Sequence, residues 1–306
     1  MQETINLHQI YGLAANSPIA IPSLRLSSNV KPELDIKIEP AKDPVTQERI
    51  VCARESGIHI KIPDLGEVSA TAHTLTVRPY HSGLEYCENL ILGSGVSSVL
   101  HLHNEIPMHG MAVVPPNSNE AWVIFGRSGS GKSTLTLALL LQGFTILSDD
   151  SIRLKKTSEG VFAYPTSTRL KCEPHYLEYI KNHYAKARSS LIAPHKCIVD
   201  LKENCVSHQP VKVSFMAQLL PHKKAQLSLH KVTRTKQMKW LSINVLRPRV
   251  IRVLEQQELM FEHFTHLTKV PFYVIEAPNL NTHRSLIDYG QTMSKQLENI
   301  NATSTL

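Results

Sequence analysis

The chain has 306 residues, of which 42% are hydrophobic, a proportion that is ordinary for globular proteins. Its 33 lysines and arginines outnumber its 26 aspartates and glutamates, which gives a formal net charge of +7 at pH 7. No run of about eighteen apolar residues occurs, so the composition excludes a membrane-spanning helix and predicts one large domain or two smaller ones.

The N-terminus and the cysteines indicate the cellular compartment. The first residues, 1–6, contain neither a basic nor an apolar segment, so the sequence predicts no signal peptide. The five cysteines are scattered and form no Cys-x-x-Cys pair, which favours neither a disulfide scaffold nor a zinc site. We therefore expect reduced thiols and a cytoplasmic protein.

Residues 1–105 are predicted to form a β-rich region. Residues 34–38, 58–62 and 74–78 each alternate apolar and polar side chains, as half-buried antiparallel strands do. Residues 84–100 are mostly apolar and predict a helix that leads toward the core. No residue in this region points to chemistry, so we expect a lid, a dimerisation surface or a module that recruits substrate.

A phosphate-binding motif follows at residues 126–134, which match G-x-x-x-x-G-K-[ST], the P-loop of nucleotide-binding proteins. Glycines let the backbone turn N–H groups toward an anion, and the following helix adds the positive end of its dipole. Lys132 would bind the β- and γ-phosphates and Ser133 would hold Mg²⁺. We expect the Lys132 ammonium to face solvent before nucleotide binds. The predicted nucleotide-binding residues are Gly126, Arg127, Ser128, Gly129, Ser130, Gly131, Lys132, Ser133 and Thr134.

The residues around this motif have the order that a P-loop requires. Residues 121–125 are apolar and β-prone, and residues 135–141 favour a helix that ends near Gly143. The alternative is a Gly- and Ser-rich turn that binds no ligand. The order of strand, loop and helix favours the nucleotide site.

Two adjacent carboxylates, Asp149 and Asp150, come after a short apolar strand at residues 144–147. Ligands bind at the carboxyl ends of strands in α/β sheets, so both acids are expected beside the phosphates. Neighbouring side chains of an extended segment point opposite ways, which predicts separate tasks. One acid would hold Mg²⁺ and the other would accept the proton of an attacking hydroxyl. The alternative is that the pair only begins a turn.

Together these motifs resemble the HPr kinase/phosphorylase-like serine kinases. The matching residues are Met108-His109-Gly110-Met111-Ala112-Val113, then 126–133, then Gly143 and 146–150. The resemblance implies an α/β fold with a P-loop kinase core of the HPr kinase and phosphoenolpyruvate carboxykinase type. It also implies that Asp149 is the general base. By the same resemblance, Asp150 and Ser133 would serve the metal, and His109 would lie beside the transferred phosphate.

The chain is still more similar to a branch of HPr-kinase-related proteins that includes those found with lasso peptides. That branch carries Tyr-Pro-x-Leu-Lys after the two aspartates, and residues 164–171 correspond to it with a short insertion. Within this segment, Arg169 and Lys171 are candidates for contact with substrate or phosphate. The Glu-Ile-Arg-Gly motif of the bifunctional HPr kinases is absent, so the resemblance does not imply HPr as the acceptor.

Basic residues concentrate late in the chain, between residues 222 and 252. A solvated basic face is the ordinary interpretation, and a patch for an anionic partner or for the triphosphate is the functional one. No nucleic-acid-binding motif is present and aromatic residues are not interleaved with the basic ones. We therefore expect no nucleic acid partner.

The sequence thus predicts an ATP- and Mg²⁺-dependent kinase that phosphorylates a hydroxyl group, with serine of a peptide or protein as the acceptor. Two alternatives stay open: a kinase for free serine or another metabolite, and a nucleotide-sensing P-loop module without catalysis. The predicted organisation is a β-rich region at 1–105, a P-loop kinase domain at 106–295 and a disordered tail at 296–306. A homo-oligomer is compatible with it, and no membrane partner is expected.

Overall fold

The computed structural model describes residues 6–26, 30–41, 47–54, 57–221, 227–278 and 285–304. These residues form a mixed α/β structure with three β-sheets, in agreement with the predicted class. Part of the late basic segment, residues 222–226, lies outside the described residues. Within the described ranges, no helix has the length and apolar character needed to cross a membrane.

The chain divides into two compact units. The first comprises Met1–Pro107, Ser190–Ala193 and Leu246–His263, and the second comprises Met108–Ser189, Pro194–Val245 and Phe264–Leu306. The sequence suggests a single division near residue 105, whereas two later segments also belong to the first unit. The earlier of them is held by Glu85, whose carboxylate accepts hydrogen bonds from the backbone N–H groups of Leu191 at 2.5 Å and Ile192 at 3.4 Å. The later one contributes Val250 to the first unit's apolar core.

One sheet dominates the first unit. Its strands are β1 (Asn6–Ile10), β2 (Leu13–Ser17), β3 (Arg25–Leu26), β4 (Leu34–Ile38), β5 (Ile50–Arg54), β6 (Gly57–Ile62), β7 (Gly66–Ala70) and β8 (Thr74–Pro79), in the order β3-β1-β2-β4-β8-β7-β6-β5. The three predicted strands are present as β4, β6 and β8. The antiparallel prediction is wrong for β4, which pairs in parallel with both β2 and β8. Alternation of apolar and polar residues indicates that one face of a strand is buried. It does not indicate whether the neighbouring strands are parallel or antiparallel.

The apolar helix predicted at residues 84–100 is present in three parts. Helix α1 (Leu84–Asn89) continues through a π-helical turn (Leu90–Gly95) into α2 (Val96–Leu102). Apolar side chains from the turn and from α2, such as Leu90 and Val99, are fully buried in the core of the first unit. Burial of this face explains why the segment is so apolar.

The remaining elements run from residue 110 to residue 304. They are β9 (Gly110–Val114), β10 (Glu120–Phe125), α3 (Lys132–Leu140), β11 (Thr145–Ser148), β12 (Arg153–Thr157), β13 (Gly160–Tyr164), β14 (Arg169–Cys172), α4 (Leu177–Ile180), β15 (Tyr184–Ser189), β16 (Cys197–Leu201), β17 (Val211–Pro221), β18 (Ser228–Lys231), α5 (Arg234–Ile243), α6 (Pro248–Val253), α7 (Gln257–Leu267), β19 (Phe272–Ala277) and α8 (Leu286–Ser304). Helix α6 belongs to the first unit, and α7 continues from the first into the second.

The large sheet of the second unit brings three chain segments to one edge. Its order is β11-β9-β10-β17-β13-β12, with β19 paired to β17 and β18 paired to β19. Because β9 is antiparallel to both β10 and β11, those two strands run in the same direction. Gly126 after β10, Asp149 after β11 and His109 before β9 therefore lie at the same edge. A separate small sheet has the order β14-β16-β15.

The predicted disordered tail at residues 296–306 is wrong for its described part. Helix α8 continues to Ser304, and Leu297 is fully buried in the core of the second unit. The buried residues Leu286, Tyr289, Met293 and Leu297 recur at helical spacing and form an apolar stripe. Polar composition near the terminus suggested disorder, but this stripe anchors the helix. Residues 305 and 306 lie outside the described residues.

Candidate functional site

The loop between β10 and α3, residues 126–131, depends on glycine for two physical reasons. Gly129 and Gly131 have positive φ angles of 78° and 91°, which residues with a Cβ adopt only with strain. Gly126 is constrained by space instead, since a Cβ there would lie 2.4 Å from Ser130 Oγ. Helix α3 begins directly after the loop at Lys132. The glycine-rich loop thus precedes a helix N-terminus, where backbone N–H groups favour an anion.

Lys132 is buried, contrary to the expectation that its ammonium faces solvent. Its Nζ donates hydrogen bonds to the backbone oxygens of Gly126 at 2.6 Å and Arg127 at 3.2 Å. Burial lowers the pKa of Lys132, while Asp150 and Asp149 act in the opposite direction. The loop turns these two carbonyl groups toward the side chain, so the ammonium is held beneath the loop by neutral oxygens.

Asp149 is placed where its ionisation is disfavoured. Its Oδ1 atom is buried and has no hydrogen-bond partner among the described residues. Burial and the neighbouring Asp150 raise the pKa of Asp149 to about 7, against opposing effects of Lys132 and Lys171. The backbone N–H of Lys171 also donates a hydrogen bond to this carboxyl group. A carboxyl with such a pKa can gain or lose a proton near neutral pH, as a general base must.

Asp150 has a different environment, but the predicted reason for the difference is wrong. Its φ of 80° is left-handed, so the two aspartates do not lie on one extended segment. The turn at Asp150 leaves its side chain 66% exposed, with Oδ1 3.4 Å from His109 Nδ1. One carboxylate is therefore buried and the other faces solvent, which allows separate tasks.

His109 connects Asp150 with Lys132. Its Nδ1 is 2.7 Å from the backbone oxygen of Asp150, and its Nε2 is 3.3 Å from Lys132 Nζ. A carbonyl can only accept and an ammonium can only donate, so Nδ1 carries the proton and Nε2 is the acceptor. The backbone N–H of His109 donates to the oxygen of Asn244 at 2.6 Å, which fixes the segment before β9. The ring of His109 is thus oriented between Asp150 and Lys132.

These residues share one cleft of about 220 Å³ in the second unit. Its walls consist of His109, Ser128, Gly129, Gly131, Lys132, Ser133, Thr134, Leu137, Asp149, Asp150, Lys171, Cys172, Glu173, Tyr176 and Lys196. Most of the predicted site residues are therefore together. Of the other predicted residues, Gly126, Arg127 and Ser130 shape the loop without forming a wall of the cleft.

Arg169 does not line the cleft, contrary to the prediction for it. It is buried on β14, with a relative exposure of 7%, and pairs in register with Asp200 on β16. Residues two apart on a strand point to the same face, but their positions along the strand differ by about 7 Å. Lys171 therefore reaches the cleft, whereas Arg169 lies opposite a buried acid in the small sheet.

Five cleft residues were not predicted: Leu137, Cys172, Glu173, Tyr176 and Lys196. Tyr176 forms a hydrogen bond with the side chain of Thr134, and its ring lies in a 3₁₀ turn after β14. Leu137 and Cys172 could have been inferred as neighbours of predicted residues on α3 and β14. Lys196 follows no motif, and only the pairing of β14 with β16 brings it to the site.

The polar atoms of the cleft suit a hard divalent cation bound together with phosphate. Ser133 and Asp150 both line the cleft and offer oxygen atoms, the ligand type that Mg²⁺ prefers. No group of three metal-ligating side chains occurs in the part of the chain that the structure describes. Mg²⁺ commonly uses one or two protein oxygens and completes its shell with phosphate and water. The pair therefore fits a nucleotide-bound Mg²⁺.

No protein-family model matches the chain, and no curated protein matches it. Among solved structures, it is similar to the HPr(Ser) kinase/phosphatase from Coxiella burnetii at 13% sequence identity. That match covers 63% of this chain and 97% of the other, with a TM-score of 0.33. A likeness at this level supports no conclusion about fold or activity, so the site is judged on its own geometry.

Proposed function

We propose that this protein is a phosphotransferase that moves the γ-phosphoryl group of ATP to a hydroxyl group. We further propose serine of a peptide or protein as the acceptor. The observation that carries the proposal is the position of Asp149. A buried carboxyl with a pKa near 7 lies in the same cleft as a glycine-rich loop that precedes a helix N-terminus. A cleft that only binds nucleotide has no need for a buried group able to exchange a proton near neutral pH.

The triphosphate would lie against the N-terminus of α3. Backbone N–H groups of the glycine-rich loop would donate to its oxygens, and the Lys132 ammonium would exchange its bonds to Gly126 and Arg127 for bonds to phosphate. Bound Mg²⁺, held by Ser133 and Asp150, would neutralise part of the phosphate charge. In this arrangement the loop and Lys132 would bind the phosphates, and Ser133 and Asp150 would bind the metal.

Asp149 would act on the acceptor. Its carboxylate would accept the proton of the acceptor hydroxyl while that oxygen attacks the γ-phosphorus. The bond between the γ-phosphorus and the bridging oxygen breaks, and the electron pair remains on ADP. His109, whose ring is already held by Asp150, would keep the Lys132 ammonium in place through Nε2. Phosphoryl transfer needs such positioning and charge neutralisation more than covalent help from the protein.

Phosphate transfer from γ-labelled ATP to soluble cell proteins and metabolites, identified by mass spectrometry, tests this proposal. Asp149→Asn is the matched control because it keeps the shape of the side chain and loses the proton acceptor. We expect transfer to fall about 10²- to 10⁴-fold, the usual worth of a general base, while affinity for Mg²⁺–nucleotide stays nearly unchanged. Asp150→Asn should instead weaken the Mg²⁺–nucleotide complex.

Three results would count against the proposal. One is an Asp149→Asn protein that transfers phosphate normally, and another is one whose sole defect is nucleotide binding. The third is a wild-type protein that binds nucleotide but labels no acceptor, which is what a nucleotide-sensing module would do. Labelled metabolites without labelled peptides would replace the peptide acceptor with a small molecule.

A further inference from the structure

Lys196 differs from the other two lysines of the cleft in the bonds that it makes. The Lys132 ammonium donates hydrogen bonds to the backbone oxygens of Gly126 and Arg127. The backbone N–H of Lys171 donates a hydrogen bond to the carboxyl group of Asp149. Lys196 forms no hydrogen bond or ion pair with any residue that the structure describes. Lys196 is half-buried, and a lysine side chain in a cleft without a protein partner is suited to an anionic ligand.

The position of Lys196 follows from the small sheet. Cys197, the first residue of β16, pairs with Cys172, the last residue of β14. Lys196 therefore lies beside the chain at Glu173, on the wall of the cleft that β14 forms. Lys132 lies on the wall formed by the glycine-rich loop and α3. Two lysines on different walls thus line one cleft.

The two ammonium groups also affect each other. Lys132 and Lys196 line the same cleft and carry like charges, so they repel each other. Two cations that repel each other across a cleft are both stabilised when an anion lies between them. In the proposed reaction, the anion at the end of the glycine-rich loop is the terminal phosphoryl group.

We propose that Lys196 is a further catalytic residue that contacts the transferred phosphoryl group from the β14 wall, while Lys132 contacts it from the side of the glycine-rich loop. This inference rests on the proposed function. As the phosphorus leaves the bridging oxygen of ADP for the acceptor oxygen, negative charge spreads over its equatorial oxygens and the bridging oxygen. Lys196 would stabilise that charge distribution, while the proton of the acceptor goes to Asp149. The contact is stronger in the transition state than with bound ADP, so it raises the rate more than the affinity.

Aluminium fluoride provides the test because, with Mg²⁺ and ADP, it imitates the phosphoryl group during transfer. We would measure the affinity of the full-length protein for Mg²⁺–ADP with and without aluminium fluoride. Lys196→Ala should bind Mg²⁺–ADP within about threefold of wild type but lose at least about tenfold of the extra affinity that aluminium fluoride gives. Lys196→Arg, which keeps the charge, should recover part of it.

Lys186→Ala is the matched control because Lys186 is an exposed lysine on β15 outside the cleft. It should keep the whole gain from aluminium fluoride. If Lys196→Ala also keeps it, or if wild type shows none, the role of Lys196 is refuted while nucleotide binding stands. If wild type binds no Mg²⁺–ADP at all, the proposed function fails and this inference fails with it.

Discussion

At the scale of single residues, the environment of Asp149 is unfavourable for its ionised form. Its carboxyl is buried, and its pKa of about 7 lies well above the ordinary value of 3.8. The folded protein therefore holds a proton that the unfolded chain releases at lower pH. Ionised Asp149 is destabilising until a cation or an acceptor hydroxyl compensates it. Active sites commonly carry such a cost.

We predict that Asp149→Asn stabilises the nucleotide-free protein in a pH-dependent manner. The favourable contribution of neutral Asp149 is complete below the unfolded pKa of 3.8 and is lost as the pH rises through about 7. Asparagine does not titrate, so the melting temperature of the variant should gain on wild type between pH 5 and pH 7 and level off above about pH 8. Thermal unfolding in EDTA over this range measures the difference.

Glu159→Gln serves as the control for that experiment, since Glu159 is an exposed acid in the turn between β12 and β13. Its effect on melting temperature should be small and almost independent of pH. A difference between Asp149→Asn and wild type that stays constant from pH 5 to pH 8 would contradict the raised pKa.

Sequence could identify a residue of the site where a local motif fixes its chemistry. Lys132, Ser133 and the two aspartates fall into this class, because neighbouring residues specify both the loop and the strand end. Sequence could not show that Lys132 folds back onto carbonyl groups of its own loop, since that depends on the path of the backbone. Lys196 was missed and Arg169 misplaced because both depend on the register between β14 and β16.

At the scale of elements, the succession of β10, glycine-rich loop, α3 and β11 agrees closely with prediction. Each part carries its own local pattern: an apolar β-prone run, a glycine motif, a helical run and a second apolar run. The small sheet of β14, β15 and β16 has no such pattern and was not predicted. The end of helix α8 was predicted to be disordered because its residues are mostly polar. The helical spacing of its few apolar residues indicates the helix instead.

The packing of the glycine-rich loop gives a second prediction. Gly126→Ala should weaken Mg²⁺–ADP binding about tenfold or more, because the new Cβ would lie 2.4 Å from Ser130 Oγ and force the loop to move. Adding Ser130→Ala removes that oxygen and should restore most of the affinity, although the Leu219 backbone oxygen at 3.2 Å remains close. Calorimetry on the single and double variants measures both effects.

Gly129→Ala is the informative comparison. No atom lies within 4 Å of its new Cβ, and the cost there comes from a φ of 78°. Ser130→Ala should therefore leave the defect of Gly129→Ala unchanged. If Ser130→Ala rescues both glycine variants equally, or neither, the loop is not packed as described.

At the scale of the whole molecule, the first unit is discontinuous in sequence. Helix α6 lies far beyond residue 107 in the chain, yet its Val250 is fully buried among the strands and α2 of that unit. Composition along the sequence indicates a domain boundary only where it changes. It does not indicate that a later segment, such as Leu246–His263, belongs to the first unit. The sequence could suggest the β-rich region but not its later additions.

The third prediction tests this assignment. Val250→Ala should destabilise the protein by about 2 kcal/mol, since it removes buried apolar groups from a packed core. Arg252→Ala, at an exposed position on the same helix, should change stability by less than about 0.5 kcal/mol. Unfolding by urea, followed by fluorescence, compares them. Equal effects of the two substitutions would show that α6 is not part of a core.

All the proposed roles require that residues 126–134 hold the phosphates of a Mg²⁺–nucleotide complex. Lys132→Met tests this requirement, because methionine keeps an unbranched apolar side chain of similar length in the buried position and lacks the ammonium. Charged hydrogen bonds of this kind contribute about 1.5–3 kcal/mol, which corresponds to roughly ten- to a hundredfold in affinity.

Calorimetric titration of the wild-type protein and Lys132→Met with ATP, in Mg²⁺ and in EDTA, is the most direct measurement. We predict that wild type binds ATP tightly only with Mg²⁺ and that Lys132→Met loses roughly ten- to a hundredfold of that affinity. Equal affinity in EDTA would contradict the roles of Ser133 and Asp150. Equal affinity of the two proteins in Mg²⁺ would show that the glycine-rich loop does not hold the triphosphate.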